Sequence, residues 1–146
     1  MPDPLHQLVA TFNRTFSGNT DLLDRVVTPD WEDIPLKPGQ GPGPGGTKPT
    51  IKGIEQSFTD VEIVMHDVID GRGSDGNGKV GVRAEMRGTH TGALFGIAAT
   101  GQAASIPIHE FHDVHDGRLA RTWHPEDWYN FVNQVGQAPH ISQDNQ

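Results

Sequence analysis

Between Val61 and His124 the chain runs as four β-rich segments, Val61–Ile69, Lys79–Gly88, Gln102–Val114 and Leu119–His124, and this constrains its fold more than any other feature. Each segment is rich in β-branched residues or alternates in polarity. Gly71-Arg-Gly-Ser-Asp-Gly-Asn-Gly78 and Asp116-Gly117 between them are strong turn signals. Segments joined by such turns fold back on their neighbours, so the sheet is expected to be largely antiparallel.

A sheet of this kind needs helices to cover one face, and the flanking sequence supplies them. Leu5, Leu8, Val9, Phe12 and Phe16 recur at three- and four-residue steps, which predicts a helix from about Pro4 to Phe16. Asn19 or Thr20 can cap a second, short helix whose inner face is Leu22, Leu23, Val26 and Val27. Pro29-Asp30-Trp31 reads as a turn. A third helix is predicted from Pro49 to Phe58, and Pro125-Glu126-Asp127 opens a last one, with Trp128, Phe131, Val132 and Val135 as its apolar residues before Gly136. The Pro- and Gly-rich stretch over 37–49 reads as a loop, either a tolerated surface insertion or a flap over a pocket mouth, and it lacks the spacing of a phosphate cradle. Helices, then a meander of strands, then a helix give the α+β class: a curved sheet wrapped over three to four helices with a cavity between. At 146 residues the chain is expected to form one domain over 1–136, followed by a polar tail over 137–146.

Charge narrows the partners. With a net charge of −8 and only 11 scattered Lys and Arg, the chain is not expected to bind nucleic acid. It has no cysteine, so neither disulfides nor thiolate metal sites contribute. Met1-Pro-Asp-Pro4 is not a charged leader start and no run nears the roughly 18 apolar residues of a membrane span, so the expected location is the cytoplasm, away from membranes. The partner that suits an apolar cavity is a hydrophobic small molecule.

Four of the eight histidines, His109, His112, His115 and His124, fall within sixteen residues. Strand alternation points His109 and His115 one way and His112 the other, which disfavours a metal site. If Asp116-Gly117 is a two-residue turn, His115 pairs with Arg118, Asp113 with Ala120, Phe111 with Thr122, and His109 with His124. Two facing imidazoles can act as a proton-transfer pair; they can equally be half-buried strand residues bonded to backbone or water. His90, in the Gly/Thr-rich link over 88–101, is either a pocket residue or a solvent-facing loop residue.

Several motifs in fixed order resemble one family. Phe58-Thr-Asp60, Gly88-Thr-His-Thr-Gly92, Gly96-Ile-Ala-Ala-Thr-Gly101, His115-Asp-Gly-Arg118 and Asp127-Trp…Gln134-Val-Gly136 are similar to the SnoaL-like polyketide cyclases, also called ester cyclases. The resemblance implies the cone-shaped α+β barrel shared with ketosteroid isomerase and nuclear transport factor 2, usually as a homodimer. It also implies cofactor-free aldol cyclisation by a carboxylate near the end of the last strand and a nearby histidine. Counting back from Asp127, the carboxylate's position is held by His124, and the partner falls on His109 or Glu110, with the strand pairing favouring His109. The expected catalytic residues are therefore His124 as base and His109 as its partner. Phe12, Trp31, Asp33, His90, Phe95, Phe111 and Trp123 are the candidates for substrate binding. Two other uses of the same cavity stay open: binding without catalysis, and hydrolase or dehydratase chemistry.

Overall fold

The computed structural model describes residues 3–136, and the expected polar tail over 137–146 lies outside them. Helix α1 spans Pro4–Arg14, where the Asp3 carboxylate accepts from the Leu5 N–H and Pro4 stands in the first turn. A cap of that kind contributes about 1 kcal/mol. Its Leu5, Val9 and Phe12 are buried, as the spacing predicts. Two single 3₁₀ turns, Thr15–Ser17 and Thr20–Leu22, lead to the short α2, Leu23–Val26.

Four long strands follow as the alternation demands. They are β2 (Phe58–Arg72), β3 (Gly78–His90), β4 (Ala103–His115) and β5 (Arg118–Trp123), each antiparallel to the next. A fifth strand, β1 (Val27–Ile34), replaces the expected turn at Pro29-Asp30-Trp31 and pairs in parallel with β5, giving the order β1-β5-β4-β3-β2. Proline and two aspartates argue against a strand by propensity, but an edge strand tolerates a proline because one row of its N–H groups has no ladder to join. The result is the expected α+β architecture, a curved, mostly antiparallel sheet over four α-helices, open at its β1 and β2 edges.

Helix α3 spans Gly43–Ser57, so it begins well inside the stretch expected to be loop. Pro44 suits a first turn, while Pro49 within the helix removes a backbone donor at a cost of about 3 kcal/mol. Burial of Thr47 and Ile51 on the inner side offsets it. The chain enters this helix by passing close to itself: a Cβ on Gly46 would lie 1.9 Å from the Gly41 carbonyl oxygen, so position 46 admits only glycine. The last helix, α4 (Trp128–Gln134), starts later than Pro125 suggests, because Asp127 is its cap and accepts from the Asn130 N–H.

The β4–β5 pairing departs from the simple ladder. His115 pairs with Arg118 and Val114 with Leu119, but Asp113 then pairs with Arg121, His112 with Thr122 and Phe111 with Trp123. Ala120 is an extra residue, a bulge that shifts the register by one and turns every later side chain of β5 over. The expected pairings of Asp113 with Ala120, Phe111 with Thr122 and His109 with His124 are corrected accordingly. Thr122 and His124 instead join the concave face that carries Ile108, Glu110 and His112.

Candidate active site

The concave face of β4 is written in its even-numbered residues. Ala104, Ile106, Ile108, Glu110, His112 and Val114 are all buried, whereas Pro107, His109, Phe111 and His115 are exposed. Facing that inner row, α1 brings Phe12 and Asn13, α3 brings Ile54, and β2 and β3 bring Ile63 and Met86. Between them lies a narrow apolar cavity, its inner space about 30 Å³ within about 430 Å³ counted out to the open mouth, with Trp128 at one side and Asn13, Glu110, His124 and Glu126 as its polar residues. Mostly apolar walls with a few convergent polar groups are the usual form of a small-molecule site.

His124 is the centre of one polar group. It follows β5 directly, and its backbone N–H bonds the Ile34 carbonyl of β1. Its Nε2 meets the Asp33 carboxylate and its Nδ1 lies 2.5 Å from Glu126 Oε1. Asp33 is held in turn by the Gln40 side-chain amide at 2.6 Å and the Thr47 hydroxyl at 2.9 Å. The Pro/Gly-rich stretch therefore supplies two of the residues that fix this carboxylate. Burial alone would lower the affinity of His124 for a proton, but hydrogen bonds and charge from Asp33 and Glu126 outweigh it and raise its pKa to about 10. Burial likewise pushes Asp33 up, and the hydrogen bond and charge of His124, with Gln40 and Thr47, carry it below its ordinary value. His124 is thereby held as an imidazolium between Asp33 and Glu126, and the three form a triad.

A second polar group lies deeper. Glu110 Oε2 is 3.1 Å from His112 Nε2 and 3.4 Å from Asn13 Nδ2, while His112 Nδ1 is 2.8 Å from the Thr122 hydroxyl. That hydroxyl accepts the indole N–H of Trp31 at 2.9 Å.

The residues expected at the site divide among three places. Phe12 lines the cavity, His124 stands at its polar end, and Asp33 backs His124 from β1. Trp31 is 1% exposed and packs edge-on to Phe12, in the wall rather than on its surface. His90 is fully buried at the end of β3, its Nδ1 taken by Thr100 and its ring against Phe58 and Phe131, away from the cavity. Phe95 is exposed and leans on the outer side of Trp128. His109, Phe111 and Trp123 are on the convex face, with Trp123 under the Lys79 and Arg121 cations. The bulge at Ala120 accounts for Trp123 and for the separation of His124 from His109, which itself lies in the odd-numbered row of β4. For Phe111 the cause is its place in the odd-numbered row of β4.

Glu126 was hidden by its neighbours. Pro125-Glu126-Asp127 reads as a helix start, yet the chain stays extended here and Glu126 bridges to Ile108. The signal is the two-residue step: Thr122, His124 and Glu126 form one inward row.

A family model for SnoaL-like polyketide cyclases matches residues 7–135. No curated protein matches the sequence significantly. Among solved structures, TsrD from Streptomyces laurentii is 22% identical, with a TM-score of 0.79 over 94% of this chain and 99% of that one. IdmH, a candidate polyketide cyclase from Streptomyces antibioticus, is 22% identical with a TM-score of 0.73 over 92% and 99% of the two chains. A SnoaL-like polyketide cyclase from Agrobacterium tumefaciens is 17% identical, with a TM-score of 0.69 over 93% and 100%. Likenesses at this identity show a common fold. Among the described residues no helix is long and apolar enough to cross a membrane.

Proposed function

Because the chain belongs to the SnoaL-like polyketide cyclase family, we propose that its cavity performs cofactor-free acid/base chemistry on an apolar, polyketide-like molecule, with Glu126 as the base and His124 as a fixed cation beside it. The observation that carries this reading is the triad at the polar end of the apolar cavity, where both ring nitrogens of His124 already hold carboxylates.

This arrangement changes the role expected for His124. An imidazolium bound on both sides has no lone pair to offer a C–H proton, so His124 is not the base. Glu126 lines the cavity and is about a quarter exposed, and only its Oε1 is engaged by His124. It is a carboxylate two residues beyond His124, the position at which the family resemblance puts one. Glu126 removes a proton next to a carbonyl, and the positive charge of His124 remains within reach of the negative charge that develops. The apolar walls from Phe12, Ile108 and Trp128 fold the substrate so that its reacting carbons approach.

The experiment is exchange of the α-hydrogens of 2-tetralone, a neutral aromatic ketone, in deuterated buffer, followed by NMR. The protein is expected to accelerate exchange above buffer, and Glu126→Gln to reduce that acceleration by about 10²–10⁴-fold, the usual contribution of a general base. Equal rates for the protein and Glu126→Gln would remove Glu126 from the role. No acceleration by the unaltered protein would remove the reading.

A further inference from the structure

The inner space of the cavity is about 30 Å³, against roughly 300–1,000 Å³ for an ordinary small-molecule pocket. A bicyclic ketone fits only after a wall moves, and the walls are not equally fixed. Phe12, Met86, Ile106 and Ile108 are buried in the close-packed core on α1 and the sheet. Trp128 is half-buried and stands at the first position of the short α4. Phe95 lies edge-on to its outer side, the ring centroids 5.2 Å apart at 79°.

Phe95 belongs to the link between β3 and β4, which is pinned at both ends. At one end the Thr91 and Gly92 N–H groups both donate to the Ser57 carbonyl at the close of α3, and the Ser57 hydroxyl lies 3.1 Å from the Ala93 carbonyl oxygen. A Cβ on Gly92 would lie 2.0 Å from the Gln56 carbonyl oxygen, so only glycine lets the link lie this close. At the other end the Gly101 N–H donates to the His90 carbonyl and the Thr100 N–H to His90 Nδ1, and the buried His90 ring packs against Phe58 and Phe131. Residues 94–99 span the gap between these pins. Leu94 and Ile97 exchange backbone hydrogen bonds and pack on the core, leaving Phe95-Gly96 as a two-residue turn with φ of 53° and 74°. Such a turn favours Asn-Gly, because both central residues need a positive φ. A phenylalanine there is strained, and strain of this kind persists only where other contacts hold it. The contacts are the rings of Trp128 and, at 6.4 Å, Phe131; the side chain is otherwise in solvent, with the residue 59% exposed.

We propose that residues 94–99 form a strap over the Trp128 wall of the cavity with Phe95 as its latch, and that Trp128 turns outward to admit a ring-sized ligand when the Phe95 ring leaves it. This gate rests on the reading given above, that an apolar molecule of that size enters the cavity, and supplies the moving wall which such entry requires. Opening exchanges one effect for another of similar size: the aromatic pair is lost, and the left-handed strain at Phe95 relaxes. Closed and open states therefore lie close in free energy, as a gate needs. The pins confine the movement. Ser57 and His90 stay in place while the six residues between them shift, and α4 stays tied to β4 through the bonds of Asn130 and Gln134 to Ser105.

Trp128 reports the movement directly, because the chain has three tryptophans and the other two stand elsewhere, Trp31 in the core and Trp123 on the convex face. In ¹⁹F NMR of protein carrying 5-fluorotryptophan, with Trp128→Phe to assign the signal, relaxation dispersion on the microsecond-to-millisecond scale is expected at Trp128 and not at Trp31. Phe95→Ala is expected to raise the population of the second Trp128 state about tenfold, the equivalent of one aromatic pair, and Phe95→Tyr, which keeps the ring, to hold it within twofold. Stopped-flow quenching of tryptophan fluorescence by 2-tetralone is expected to show association about tenfold faster in Phe95→Ala and unaltered in Phe95→Tyr. No dispersion at Trp128 in either protein, or a second-state population or association rate that Phe95→Ala leaves unchanged, would overturn the gate. Dispersion that responds to Phe95→Ala with no binding of 2-tetralone would overturn the ligand class of the proposed function and leave the gate standing.

Discussion

Two histidines on the same concave face, His124 and His112, show how far partners decide what a side chain does. His124 lies between two carboxylates, Asp33 and Glu126, at the partly open end of the cavity. His112 lies between one carboxylate and one hydroxyl in the closed core. With two anions against it, an imidazole becomes a fixed cation. One carboxylate at Nε2 and one hydroxyl at Nδ1 make it a fixed link in a buried hydrogen-bond network. In both arrangements each ring nitrogen is already engaged by a partner, and the carboxylates Glu126 and Glu110 are the members that line the cavity.

The largest effect that can break this contrast is on stability. His124→Ala would leave Asp33 buried and Glu126 half-buried without their common cation, and removing one partner of a buried ion pair costs about 3–5 kcal/mol. Urea unfolding measures it, and a loss below about 1 kcal/mol would mean that His124 is not the charge that holds the triad together. The pH dependence follows with a definite sign. The folded pKa of about 10 lies above the ordinary 6.5, so the folded state holds the proton more tightly than the unfolded chain. That stabilisation is complete below about pH 6.5 and is lost as pH rises from there through about 10. Asp33, lowered from 3.8, contributes above that value and loses its contribution as pH falls below it. Melting temperature should therefore decline between pH 7 and pH 10 in the unaltered protein, and His124→Gln should lack that slope. Parallel profiles for the two would contradict the assignment.

Part of this was legible in the sequence. Alternation along β4 and the apolar steps of α1 carry their information in every residue, so the sheet and the covering helix could be read directly. Other features rest on single residues or on tertiary support. The bulge is one residue, Ala120, with nothing in its type to mark it, yet it moved His124 from the face of His109 to that of Glu110. Strand β1 and the start of α3 contradict local propensity, and burial of Trp31, Thr47 and Ile51 overrides it. Asp33 could be named from sequence only as a polar contact, because its partners Gln40 and Thr47 come from a stretch whose glycines and prolines say loop.

Thr122→Val probes the deeper set and should cost less than loss of His124, since no charge is stranded. The valine leaves Trp31 Nε1 and His112 Nδ1 without the hydroxyl that joins them, and a buried unsatisfied group costs about 1–3 kcal/mol. Its urea midpoint should fall while the decline between pH 7 and pH 10 keeps its slope, because that slope belongs to His124. A changed slope would mean that the two sets are coupled through Thr122 and His124 rather than separate.

The smallest expected effect tests the register itself. His109 is two residues from Phe111 on the exposed row of β4 and pairs across with Arg83 on β3, while its backbone N–H bonds the Pro125 carbonyl. His109→Ala keeps that backbone bond and removes only an exposed ring, so unfolding free energy should change by no more than about 0.5 kcal/mol. The 2-tetralone exchange rate should stay within twofold of the unaltered protein. A tenfold loss would place the His109 imidazole at the cavity, against the alternation that turns the odd-numbered row of β4 outward, and the contrast between His124 and His112 would then have to be redrawn around a different pair.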